Sequence, residues 1–439
     1  MKLNVIDSCQ QIMDSEQYTS NYYILMWVNK TFDIDIFKKA AYGVIEETPR
    51  FRMILKRGFF NNKWVLLEDA KKNYFYEEFI ECSEDNAKCE LENAFLATKH
   101  KYVDIMSESP MKFLYYKSEN KGLLVCVFHH AFVDGIASLE VVSAFSMAYE
   151  AQKNKKEYKV KVYTGSISKD INKSMGCAQI LKSLKDLKPK KSGGKKIDVI
   201  RKENNFDTAL DKDKVEYVPL TYLRKDMMII KKNFLPAQLS VNDIIMYATV
   251  NMQMRMNEKR KIKNMDIPVG FAVNLRQYTK ETYGHMLTLQ NAYGISGVNY
   301  SLKNGYSSKG LIEAIIKAKK GNPGVGFYAI FYLMKVLPMK VVEKISRKIL
   351  EAVNKAMYEG TNVTNLGKID SWIIGMEKEI DDVLVLRAGG KIGLPVISVI
   401  EHKGQFRFSF LKYQDEAHLA SELQATFIEE LEKLKKGII

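Results

Sequence analysis

The chain runs from an apolar stretch, Leu123–Phe128, through His129-His130-Ala131-Phe132-Val133-Asp134-Gly135 into Ile136–Tyr149. The first stretch reads as a buried strand and the last as a helix. This junction constrains the fold more than any other feature. Imidazole nitrogens at the end of a buried strand need hydrogen-bond partners, so two consecutive histidines there demand a built environment. Adjacent strand residues point to opposite faces, so His129 and His130 serve different surroundings.

A chain of 439 residues is too long for one ordinary core, and two lobes are expected. Hydrophobic residues make up 46% and charged residues 27%, a globular rather than a disordered balance. No apolar stretch reaches the roughly 18 residues a membrane-crossing helix needs. Asp7 interrupts the start too early for a secretory signal. Cys9, Cys82, Cys89, Cys126 and Cys177 lack paired spacing, which argues for a reducing compartment and against a zinc site. A cytoplasmic protein is expected, with Cys126 a small core hydrophobe. The net charge of +15 suits an anionic partner, such as a phosphorylated cofactor, an acidic carrier protein or a lipid headgroup, or simply a soluble lysine-rich surface. No nucleic-acid-binding motif accompanies the charge.

In order, Tyr22–Phe32 reads as a strand, and Asp33 or Asp35 caps a helix to about Glu47, which Thr48-Pro49 ends. Phe51–Leu55 and Trp64–Leu67 are strands, Ala87–Thr98 a helix, and Met111–Tyr116 with Leu123–Phe128 a hairpin. Lys153–Lys161 and Leu184–Lys196 are charge-dense and mark a solvated linker, with a phosphate or carrier docking patch as the sharper alternative. The second half restarts with helix Leu239–Met254, for which Ser240 is the N-cap candidate and Asp243 the N3 acid. Strands Ile267–Leu275 and Ala292–Leu302 follow, then helices Leu311–Lys319, Phe327–Leu337 and Met339–Met357. A hairpin of Val396–Ile400 with Gln405–Leu411 and the helix Glu416–Leu434 close the chain. Phe327–Leu337 is apolar all round: a buried helix, a channel wall, or a peripheral membrane contact.

Metal binding at His129, His130 and Asp134 is disfavoured, because the segment crosses from strand to loop and no third ligand is near. A neutral imidazole can instead take the proton from an acceptor hydroxyl or amine as it attacks an activated carbonyl. Such a base needs a fixed tautomer and a donor for the developing oxyanion. On the residues alone, His130 is either this general base or a satisfied core histidine.

His129, His130, Asp134 and Gly135 form His-His-x-x-x-Asp-Gly, which resembles the signature of the chloramphenicol acetyltransferase-like acyltransferase superfamily. That group includes condensation domains of nonribosomal peptide synthetases, alcohol acetyltransferases and wax ester synthase/diacylglycerol acyltransferases. Thr48-Pro49-Arg50-Phe51-Arg52 resembles its His-Pro-x-Leu-Arg segment. Leu239–Ile245, Val273-Asn274-Leu275-Arg276 and Asn362–Gly367 are similar to further family segments in the same order. The resemblance implies an α/β fold of two chloramphenicol acetyltransferase-like αβ sandwich lobes, forming a V-shaped pseudo-dimer around a central tunnel. Lobes of residues 1–165 and 206–439 would flank a basic linker, 166–205. It implies an acyltransferase that moves an acyl group from a coenzyme A or carrier-protein thioester to an alcohol or amine. His130 would be the general base, without a covalent acyl-enzyme, a permanent cofactor or a metal. His129, Asp134, Gly135 and Arg52 would shape the site, with Asp134 paired to Arg52. By residue type alone, Asn291, Thr364 and Asn365 are candidates for oxyanion or substrate contacts. An Asp-Phe-Gly-Trp-Gly segment is absent, and Leu289-Gln290-Asn291-Ala292 stands where peptide-forming condensation domains carry Phe-Val-Asn-Thr. A free-standing transferase is therefore expected ahead of a carrier-dependent condensation enzyme or an inactive binding relative.

Overall fold

The computed structural model describes residues 7, 20–59, 62–67, 74–187, 216–261, 266–334, 337–338, 340–345, 361–387, 396–412 and 419–439. In the first lobe β1 (Asn21–Asn29), α1 (Ile34–Glu47), β2 (Met53–Lys56) and β3 (Lys63–Leu66) come first. They are followed by β4 (Phe75–Phe79), α2 (Ala87–Ala97), β5 (Met111–Lys117), β6 (Lys121–His129) and α3 (Gly135–Lys153). The expected hairpin forms: β5 and β6 pair antiparallel, with Phe113 opposite Cys126. β6 is buried from Gly122 to His129, because helices cover both faces of its sheet. On one face Phe113 meets Phe37 of α1 and Phe145 of α3. On the other, Tyr23 of β1 meets Phe95 of α2 edge-on. Asp33 caps α1 by accepting from the N–H groups of Asp35 and Ile36.

After this lobe, α4 (Ile167–Met175) and α5 (Cys177–Lys182) occupy the start of the expected linker. Their Ile167, Ile171 and Ile180 are buried in the second lobe's core. The rest of that linker, 188–205, lies outside the described residues.

The second lobe comprises β7 (Glu216–Leu223), α6 (Arg224–Asn233), α7 (Val241–Lys259), β8 (Asp266–Asn274), β9 (Tyr293–Ser301), α8 (Ser308–Ala318) and α9 (Val325–Met334). It continues with β10 (Thr361–Lys368), β11 (Ile380–Arg387), β12 (Val396–His402), β13 (Gln405–Lys412) and α10 (Leu419–Lys435). The expected capping box at α7 is present: Ser240 Oγ accepts from the Asp243 N–H, and Asp243 Oδ2 accepts from the Ser240 N–H. The helix expected over Met339–Met357 falls largely outside the described residues. No helix among the described residues is long and apolar enough to cross a membrane.

Strand order is β11-β1-β6-β5-β4 in one sheet and β7-β13-β12-β10-β8-β9 in a second, with β2 and β3 a separate two-stranded pair. The two-lobed α/β arrangement thus holds, but β11 departs from the sequence reading, which assigns no element there. It leaves the C-terminal half to pair antiparallel with β1, Leu25 opposite Leu384. It also stays in touch with its own half, since Ser409 of β13 donates to the Val385 carbonyl at 2.7 Å. The lobes are therefore interlocked by chain, and not merely apposed.

The turn before β11 packs as tightly. A Cβ on Gly375 would lie 2.1 Å from the Ser146 carbonyl oxygen of α3, a backbone atom that cannot swing away. Gly375→Ala should cost roughly 1–3 kcal/mol by overpacking this seam. A lowered denaturant midpoint with an unchanged slope is the expected result.

Candidate active site

At the end of β6, the His130 N–H donates to the Ser20 carbonyl at 2.7 Å, and the Phe132 N–H to the His129 carbonyl at 2.9 Å. The chain turns here, so the two imidazoles separate as strand alternation requires. His129 is fully buried, and its Nδ1 accepts from the Ala131 N–H at 3.1 Å. It pins the turn. His130 is half-buried and lies at the seam between the lobes. Its ring sits 5.2 Å from Tyr22 of the first lobe and 5.1 Å from Tyr293 of the second.

The His130 tautomer follows from its neighbours. Asn291 Nδ2 donates to Asp7 Oδ1 and to the His130 carbonyl, both at 2.8 Å. The Asn291 amide is thereby oriented with Oδ1 toward His130 Nδ1, at 3.2 Å. An amide oxygen only accepts, so Nδ1 carries the proton and Nε2 keeps its lone pair. Among the described residues, Nε2 has no hydrogen-bond partner. Burial lowers the His130 pKa, opposed by its own carbonyl, by Asp134 and by Asn291, so the ring is neutral near pH 7. Asn291 therefore differs from an oxyanion donor: both of its amide hydrogens are already engaged.

Asp134 is buried and caps α3, its Oδ1 accepting from the Ala137 N–H at 2.8 Å. Its Oδ2 accepts from Arg276 Nη1 at 2.8 Å and from the Ala292 N–H at 2.6 Å. Burial alone would raise its pKa, yet Arg276 and these N–H donors hold it below the usual carboxylate value. The carboxylate's partner is therefore Arg276, and not Arg52 as the resemblance implies. Pro49–Arg52 forms a 3₁₀ turn, in which successive side chains fan about a third of a circle apart. Arg50 and Phe51 turn inward, whereas Arg52 reaches the Glu46 carbonyl at 3.4 Å. Arg276 arrives because Asn274 Oδ1 accepts from its backbone N–H at the end of β8 and starts a tight turn. Its Nη2 also donates to Thr288 Oγ1 and the Gln290 carbonyl. Glu140 of α3 lies beside the same guanidinium and accepts from the Thr288 N–H and hydroxyl.

At Gly135 the other lobe comes close, and the backbone φ is not of the kind that favours glycine. A Cβ there would lie 2.4 Å from Leu366 Cδ2, a side chain of β10 in the other lobe. Thr364 lies two residues earlier on that strand and is half-buried, ahead of a register irregularity between Asn365 and Lys368. Asn365 points away and accepts from the Gly367 N–H within a local turn. Of the residues singled out from sequence, the structure thus gathers His129, His130, Asp134, Gly135 and Asn291, and brings the Thr364 strand alongside. Arg52 stands apart, and Asn365 is used by its own loop. Asp7, Glu140 and Arg276 are site residues that the sequence does not mark as such, although Arg276 ends the Val273-Asn274-Leu275-Arg276 segment. No group of three His, Cys, Asp or Glu side chains among the described residues is arranged to hold a metal.

Removing one partner of a buried pair leaves the other charge stranded. Arg276→Ala should cost about 3–5 kcal/mol, whereas Arg52→Ala should cost less than about 1 kcal/mol; denaturant unfolding of both variants separates them. Glu140 supplies a pH test. Burial raises its carboxyl to about 7 despite Arg276 and Thr288. An acid raised on folding binds more protons in the native state, so stability falls as pH rises from about 4.5 to 7. Glu140→Gln should remove that slope, worth roughly 3 kcal/mol across the window, as read by unfolding at fixed pH steps.

No curated protein sequence matches the chain. The Condensation domain family matches residues 9–165, the part that carries β1 to α3. The whole chain is similar to solved structures at low identity. One is the epimerization domain from the third module of tyrocidine synthetase B, with TM-score 0.71 and 13% identity, covering 100% of this chain and 96% of that one. Another is the first condensation domain of the CDA synthetase, with TM-score 0.70 and 9% identity, covering 98% and 94%. A third is polyketide synthase associated protein 5 from Mycobacterium tuberculosis, with TM-score 0.62 and 12% identity, covering 99% and 97%. Over its first lobe the chain thus matches the Condensation domain family, and over its whole length it shares the two-lobed, chloramphenicol acetyltransferase-like fold of these structures.

Proposed function

We propose that the chain is an acyltransferase that passes an acyl group from a thioester directly to an alcohol or amine, with His130 as general base. The observation that carries this reading is the state of one ring. His130 is neutral, its Nδ1 is committed to Asn291, and its Nε2 is unpartnered at the lobe seam among the described residues. In this mechanism Nε2 takes the proton from the acceptor O–H or N–H as that atom attacks the thioester carbonyl. The tetrahedral adduct collapses, the C–S bond breaks, and the Nε2 proton leaves with the thiolate as free thiol. No side chain needs to carry the acyl group, and the Tyr22 and Tyr293 rings restrict where the imidazole can swing. Thr364, on the strand that brings Leu366 against Gly135, is the candidate donor to the oxyanion.

Acyl-coenzyme A or an acyl-carrier protein is the co-substrate in this reading, and the net charge of +15 favours either phosphorylated arm or an acidic carrier. The second reading is a free-standing condensation enzyme that works only on carrier-bound substrates. The family match over residues 9–165 favours it.

Thiol release from a panel of acyl-coenzyme A and acyl-carrier donors, with pooled alcohols and amines, tests both. His130→Ala should lose at least about 100-fold in kcat. Undiminished turnover would falsify the assignment, and release from carrier-bound donors alone would select the second reading. Because burial lowers the His130 pKa, kcat/KM should rise with pH along an acid limb lying below the ordinary histidine value of about 6.5. It should then be flat through neutrality.

A further inference from the structure

We infer that Asp7 and Arg50 are positioning residues for His130, acting through Asn291 to hold its proton on Nδ1. The inference rests on the reading of His130 as base, and Asp7 lies outside the residues matched by the condensation family. The chain of contacts is continuous. Arg50 Nη2 donates to Asp7 Oδ2 at 3.1 Å. Asp7 Oδ1 accepts from Asn291 Nδ2 at 2.8 Å and from the Asn291 backbone N–H at 3.2 Å. Asn291 Oδ1 then faces His130 Nδ1.

Polarity makes this chain directional. The two ends of an Asn amide have nearly the same shape, so sterics alone would let Asn291 sit either way round. Turned over, it would offer an N–H to Nδ1, force the proton onto Nε2 and remove the lone pair needed for general-base work. The Asp7 carboxylate has no hydrogen to donate and rejects the reversed amide. The His130 carbonyl adds a second acceptor on the same side. Asp7 is itself fully buried, with a side-chain exposure of 0%, and a carboxylate there is tolerable only with a cation. Arg50 supplies the cation and is held in turn, its guanidinium 5.1 Å from the Trp64 ring and 5.8 Å from Phe132. Burial lowers the Arg50 pKa and Asp7 opposes that shift, so each ion depends on the other.

Asp7→Asn tests this with almost no change in shape. Arg50 would still donate to the side-chain oxygen that the substitution leaves, which turns the new amide nitrogen toward Asn291 and opposes donor to donor. In protein labelled with 15N-histidine, wild-type His130 should show a protonated Nδ1 and an unprotonated Nε2. Asp7→Asn should shift that population toward Nε2–H and lower kcat by about 10- to 100-fold, with KM within about threefold. Asp7→Glu, which keeps an acceptor, should retain the wild-type tautomer. An Nε2–H tautomer in the wild type would overturn the inference, as would an Asp7→Asn protein with unchanged tautomer and kcat. The wild-type spectrum decides the matter even if Asp7→Asn does not fold. A tautomer shift in a protein that turns over no thioester would support the relay while removing the proposed reaction.

Discussion

The buried ion pair between Asp134 and Arg276 is the interaction on which the rest of the site depends. The side chains are 4% and 6% exposed and come from different lobes. Two such charges are costly to bury, and the cost is offset only when the close pair is backed by further hydrogen bonds. Both Asp134 oxygens have such partners: one caps α3 and the other receives Arg276 and the Ala292 N–H. The consequence is geometric. His130 lies four residues before Asp134 on one lobe, and Asn291 lies one residue before Ala292 on the other. One carboxylate thus sets the positions of both the imidazole and the amide that orients it.

This arrangement divides labour between two histidines that look equivalent as letters. His129 is fully buried and spends Nδ1 on the backbone of the turn. His130 turns into the seam, where burial keeps it neutral and the second lobe supplies its only side-chain hydrogen bond among the described residues. Glu140 shares the Arg276 surroundings but not the Asp134 state, since fewer donors reach it and burial dominates. The same guanidinium therefore sits beside one firmly ionised carboxylate and one that titrates near neutrality.

Much of the first lobe was legible because its signals are local. The apolar run of β6, the Asp33 cap, the Thr48-Pro49 stop and the β5–β6 hairpin each follow from a few neighbouring residues, as does the Ser240–Asp243 capping box of the second lobe. The choice between Arg52 and Arg276 was not local. Each flanks an apolar strand, Arg52 before Met53–Lys56 and Arg276 after Asp266–Asn274, and only the 3₁₀ turn at Pro49 directs one away while the Asn274 turn directs the other inward. Asp7 gave no signal at all, for an isolated acid near the start of a chain reads as solvated surface. Ile380–Arg387 is apolar enough to be a strand, but nothing in it says that it joins the sheet of the other half.

The sequence by itself determined that a buried strand ends in two histidines facing opposite ways, followed by an acid, a glycine and a helix. Strand alternation and helix capping operate over a few residues, so this much needs no partner. Only the tertiary structure decided which arginine neutralises Asp134, what packs against Gly135, and which nitrogen of His130 holds the proton. Each of those depends on residues from the other lobe, namely Arg276, Leu366 and Asn291. The desolvation that gives them weight exists only once the lobes close on one another.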